Sequence, residues 1–148
     1  MKIGTYILGL VAASSICGCA RAQLSNDNLL TRLIIPRQTA MPTSGREYRF
    51  SGWLTVEGEI KLFPTSEKER GYGKCISGIY GMPGLYDKFR ALSNRRVVII
   101  GELGEYNDGM VSVKTLKPTD FSYFENHCGL NYVIIARSVR LWRGSDEK

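Results

Sequence analysis

Histidine is nearly missing from this chain: His127 is the only one in 148 residues. That scarcity bears on chemistry, because hydrolytic and nucleophilic mechanisms usually need a positioned base that titrates near neutral pH. The lone histidine stands directly before Cys128, where the two side chains cannot be relied on to meet, and it reads as a loop residue with a polar partner. A zinc site needs three or four N, S or O ligands. Cys75, Cys128 and His127 supply three only as free thiols, so no metal site is expected. No Gly-rich phosphate loop and no G-x-S-x-G elbow occur, and no cofactor is expected. Internal repeats, low-complexity stretches and long runs of one charge sign are also absent.

Carboxylates are present but scattered. Glu57 and Glu59 flank a turn, and Glu102, Glu105 and Asp108 gather near another. Glycoside hydrolysis needs two carboxyl groups about 5 to 9.5 Å apart across a cleft. Acidic residues at hairpin ends read as solvated, so the chain is not expected to be an enzyme. A small hydrolase or a thiol-dependent enzyme built on Cys75, His127 and Cys128 stays open as an alternative.

The amino terminus has the tripartite order of a secretory signal: Lys2, the apolar run Ile7-Leu8-Gly9-Leu10-Val11-Ala12-Ala13, then small residues through Ala20. The run gives out well short of the roughly 20 apolar residues that cross a bilayer. Residues 1–22 are therefore expected to be a signal peptide, with Ala20-Arg21-Ala22 as a small-x-small cleavage site. A second reading competes, since Ile16-Cys17-Gly18-Cys19 resembles a bacterial lipobox and would make Cys19 the lipidated residue. Either way the mature chain is one domain of about 126 residues, large enough for a single hydrophobic core. Removing Lys2 and Arg21 lowers the formal charge from +6 to +4, a mild excess with both signs interspersed. Only Cys75 and Cys128 then remain, and an exported chain lives where disulfides persist. Closing a loop of about 50 residues between them would contribute roughly 4 kcal/mol in the chain-entropy treatment.

Residues 23–47 read as an irregular lead-in holding a short helix or strand at Leu29-Leu30 and Leu33-Ile34-Ile35, broken at Pro36 and Pro42. From Tyr48 the period becomes two: Tyr48, Phe50, Gly52, Leu54 and Val56 alternate with Arg49, Ser51, Trp53 and Thr55. Glu57-Gly58 turns this strand into a second, through Ile60, Leu62 and Phe63. A third runs from Cys75 to Tyr80. Leu85, Phe89 and Leu92 then fall on one face of a two-turn helix. Arg96 to Leu103 is a β-branched strand, Asn107-Asp108-Gly109 a hairpin turn, and Tyr132 to Trp142 a closing strand. The expected core is Phe50, Leu54, Leu62, Ile76, Phe89, Val98, Ile100, Val133, Ile135 and Leu141.

This order, with Gly52 and Gly101 placed to bend strands, resembles an oligonucleotide/oligosaccharide-binding (OB) barrel over residues 48–142. The resemblance implies a mainly β, small Greek-key barrel of five to six strands, occupying 48–148, with one short helix between strands 3 and 4. It resembles the small exported bacterial proteins of that barrel type, lipoproteins among them, and so implies a non-catalytic binding or structural module of the cell envelope. An envelope protein or an anionic polymer is the expected partner, with a lipid anchor if Cys19 is modified; nucleic acid is not expected, and the oligomeric state is open. An exported nucleic-acid or polysaccharide binder is the alternative. The ligand surface is expected at Trp53, Tyr72, Arg137 and Arg140, drawn from a wider set of aromatics and arginines that includes Trp142, because such side chains desolvate large areas while keeping a polar handle.

Overall fold

The computed structural model describes residues 29–36, 40, 42–66, 74–107, 110–112 (backbone alone) and 125–147. The signal segment with Cys19, and Tyr72, lie outside the described residues. Residues 29–33 are helical and lead into a two-residue strand, β1 (Ile34–Ile35). There follow β2 (Glu47–Glu57), β3 (Glu59–Phe63), β4 (Ile76–Tyr80), the helix α1 (Leu85–Ala91), β5 (Arg96–Asn107), β6 (Met110–Ser112) and β7 (Tyr132–Leu141). A 3-10 turn, Gly144–Glu147, ends the described chain.

The strands close on themselves. β2 pairs with β3, β3 with β4, β4 with β7, β7 with β5, and β5 again with β2, so five strands form a barrel without free edges. Every pairing is antiparallel except β4 with β7. β1 is an added strand on β2, and β6 extends β5 as a hairpin. The architecture is the expected mainly β, OB-like barrel; α1 falls between the third and fourth barrel strands, which become β4 and β5 once β1 is counted. Closure requires sharp strand coiling, and two glycines allow it. A Cβ on Gly52 would stand 2.5 Å from the Phe63 carbonyl oxygen, and one on Gly101 would stand 2.4 Å from that of Ile135. No larger residue admits such backbone approach.

The interior holds Phe50, Leu54, Leu62, Ile76 and Phe89, as the alternation predicts. The lead-in adds Leu29, Leu30, Leu33 and Ile34, since an amphipathic turn and β1 lay their apolar side chains onto the barrel. On β5 the inward residues are Val97, Ile99 and Leu103, not Val98 and Ile100. On β7 they are Ile134 and Ala136, not Val133 and Ile135.

β7 also carries a bulge. Ile100 pairs with Ser138 and Gly101 with Ala136, which leaves Arg137 as an extra residue on β7. One extra residue reverses the facing of everything beyond it, so Val139 packs inward while Ser138 and Arg140 turn out. Leu141 outruns the core and is 49% exposed, a correction to the expected core. Val98, Val133 and Ile135 are nevertheless buried, on the outer surface of the barrel, and Ile100 is half-buried.

The segment before β7 explains part of that outer burial. Cys128 is bonded to Cys75, with the Cα atoms 5.3 Å apart, and its N–H donates to Ser77 Oγ at 3.3 Å. Next to it, His127 Nδ1 stands 2.7 Å from Glu59 Oε1, and its Nε2 3.4 Å from Glu125. His127 is thus an exposed loop residue held between carboxylates. Glu59, expected to be solvated, is buried on the outward side of β3 beneath this loop. Glu102 is buried as well and receives the Arg137 guanidinium.

Candidate functional site

The pairing registers fix which side chains share the outer surface of β2, β5 and β7. Ser51, Val98 and Arg140 form one row; Arg49, Ile100 and Ser138 form the next. Trp53 pairs with Arg96, and the Trp142 backbone N–H donates to the Arg96 carbonyl at 3.0 Å, which carries the surface one residue past β7.

Over this surface folds the turn Gly144–Glu147. Its Asp146 carboxylate accepts from Arg49 Nη2 at 3.0 Å on β2, and from Arg140 Nη1 at 2.8 Å and Nη2 at 2.5 Å on β7. The Arg143 backbone N–H adds a bond at 2.7 Å. The Arg140 guanidinium first, then the Arg143 N–H, hold this carboxyl well below the usual carboxylate range, and Asp146 in turn raises Arg140. Val98 lies on β5 between the two arginine-bearing strands and is fully buried although it faces outward.

Beside this clasp opens a cleft of about 570 Å³. Each wall comes from a different element: Arg32 from the lead-in helical turn, Ile35 from β1, Ser51 from β2, Pro64 just past β3, Arg96 from β5, Trp142 just past β7, and Glu147 from the terminal turn. Arg96 lies over the Trp142 indole, 3.9 Å from guanidinium carbon to ring centroid, and its Nη2 is 3.5 Å from Glu147 Oε1. Two polar atoms of the lining residues, Ser51 Oγ and Trp142 Nε1, are buried with no hydrogen-bond partner among the described residues. Such groups are uncommon in folded proteins and costly, because folding has removed their water without replacing it.

The surface expected from the sequence is dispersed. Trp53 is half-buried against Phe63 and the Cys75–Cys128 bridge, where it supports the loop that the bridge anchors. Arg137 is the bulge residue and pairs with Glu102, while Arg140 is committed to Asp146. None of the three lines the cleft; Arg140 borders it through the turn that carries Glu147. The lining residues Arg32, Ser51, Arg96 and Glu147 escape sequence reasoning because they are unremarkable singly and meet only on closure. One signal was available: alternation along β2 puts Ser51 on the outer face, between Arg49 and Trp53.

Among the described residues, no three His, Cys, Asp or Glu side chains are placed to hold a metal ion. What the cleft offers is recognition: the guanidinium groups of Arg32 and Arg96, with Ser51 and Trp142 in its walls, around a space large enough for a small organic molecule. Comparison of the chain with family models, with curated proteins and with solved structures finds no match.

Proposed function

We propose that this chain is a non-catalytic binding module of the bacterial cell envelope, which holds a small polar molecule, or the end of an envelope polymer, in the cleft between the terminal turn and the outer barrel face. One observation carries this reading: seven residues from seven separate segments converge on the cleft, and two of them bring buried polar atoms that have no partner among the described residues. A ligand towards which those side chains turned would recover free energy that folding forgoes. The export half of the reading rests on the signal-like order of residues 1–22, and the Cys75–Cys128 bridge supports an oxidising compartment. Lipidation of Cys19 would tether the module to a membrane surface.

Chemical-shift mapping of the isotope-labelled, disulfide-bonded protein tests the site. Titration with a panel of monosaccharides, sugar acids, phosphosugars and amino acids should perturb the backbone amides of Ser51 and Arg96 and the indole N–H of Trp142. Perturbation centred instead on Trp53 and Arg137 would move the site to the surface read from the sequence. A panel that left all of these signals unchanged would remove the cleft from consideration.

A further inference from the structure

We infer that the cleft ligand presents an oxyanion, a carboxylate or a phosphate, which seats on Arg96 in place of the chain's own Glu147; this rests on the binding role proposed for the cleft. The donor set points there. Guanidinium nitrogens can only donate hydrogen bonds, so Arg32 and Arg96 together ask for an acceptor-rich partner, and the Ser51 and Trp142 donors lie buried in the wall beside them. The Arg96 guanidinium carbon lies 3.9 Å from the Trp142 ring centroid, so the indole covers one side of the group while its N–H donors remain to meet a planar or tetrahedral oxyanion.

Glu147 already supplies a carboxylate to that edge, but weakly. Its contact with Arg96 is long, at 3.5 Å, and its side chain is 65% exposed, so water competes for both partners. The residue beside it is held far better. Asp146 anchors the turn through Arg49, Arg140 and the Arg143 N–H, so Glu147 can leave Arg96 without undocking the turn. An incoming oxyanion that reached Arg96 in bidentate geometry would make shorter bonds than the one it displaces. Glu147 is therefore a resident competitor, and the cleft binds an anion by exchanging one carboxylate for another acceptor. At about 570 Å³ the space is much larger than an inorganic anion, which makes the oxyanion one end of a larger polar molecule.

The test uses glucuronate, glucose 6-phosphate and neutral glucose, titrated into the disulfide-bonded protein. The readout is the Trp142 indole N–H signal, distinguished from that of Trp53 by a Trp53→Phe variant. At least one of the two anions should shift the signal saturably and glucose should not; which anion acts separates a carboxylate ligand from a phosphate one. Glu147→Gln should tighten that binding about threefold to tenfold, since it removes the competitor, and Arg96→Gln should weaken it about tenfold or more. Should Arg96→Gln fail to fold, Arg96→Lys keeps the charge without the planar fork and should still lose several-fold affinity. Neither anion acting, an anion effect that the Arg96 variant leaves unchanged, or no gain from Glu147→Gln overturns the inference. Glucose binding as well as the anions would also overturn it, yet would leave the cleft a binding site; only silence across the wider panel removes both.

Discussion

Asp146 shows how much of the outer face depends on a single carboxylate, because it joins Arg49 on β2 to Arg140 on β7 across β5. Its depressed pKa makes this contribution pH-dependent with a definite sign. A carboxyl whose folded pKa lies below its unfolded value adds stability that is fully present above the unfolded value of about 3.9 and fades as pH falls towards the folded one. Asp146→Asn should therefore lower Tm by a constant amount at pH 5 to 8, and the gap should narrow below about pH 4. Thermal melts of both proteins across that range check it, and a gap independent of pH would mean that the charge is not what holds the turn. Tyr80 has the opposite sign. Its buried hydroxyl has no partner among the described residues, and burial, helped by neighbouring Tyr86, pushes its pKa up to about 12. The neutral form is the one the fold favours, so its contribution is present below about pH 10 and lost as pH rises towards 12. Tyr80→Phe keeps the edge-on ring contacts with Tyr86 and Phe89. It should leave stability at pH 7 within about 0.5 kcal/mol of the parent and remove the loss above pH 10, read by chemical denaturation at the two pH values.

At the scale of elements, the Arg137 bulge decides the facing of the last strand beyond it, and the facing of neighbouring β5 has a paired test of its own. Ile99 points into the core and Ile100 outward, so Ile99→Ala should cost about 2 to 5 kcal/mol, while Ile100→Ala, half-buried, should cost less than about 1.5 kcal/mol. Urea unfolding of the two variants measures the difference, and the reverse order would mean that β5 faces the other way. The same bulge marks where the sequence stops being legible. The order of elements along the chain, the helix position and the two bending glycines could be read from local pattern, because alternation and turn residues act locally, and the cysteine pair from its being the one left after the expected signal segment. The parity of β5 and β7 could not. Val97 to Ile100 is apolar on both faces, and period-two reasoning fails where both faces are buried. The second face is buried by segments remote in sequence, the terminal turn over Val98 and the bridged loop over Ser77 and Glu59. The cleft was illegible for the same reason: its lining residues span positions 32 to 147, and only barrel closure brings them together.

For the whole molecule, the decisive step is the pairing of β4 with β7, the one parallel contact and the one that shuts the barrel between hairpin-connected strands and the strand farthest along the chain. Parallel partners start at the same end, and the cysteines sit at that end: Cys75 directly precedes β4, and Cys128 lies four residues before β7. The bridge therefore spans the same loop, a separation of 53 residues, that β4–β7 pairing must close. Loop closure is entropically costly before the contacts form, and the covalent link removes that cost from the folding step. Replacing both cysteines with serine should lower stability by about 2 to 5 kcal/mol. The loss should also be uneven. Amides of Gly78 to Tyr80 and Ile134 to Ala136, which lie in the parallel ladder next to the bridge, should lose hydrogen-exchange protection relative to those of the β2–β5 ladder, neither strand of which adjoins a bridged cysteine. Native-state exchange on the bridged and serine proteins measures both at once. Uniform loss across the two ladders would mean that the barrel opens only as a unit, so that the bridge acts on global unfolding and not as a staple on its closing seam.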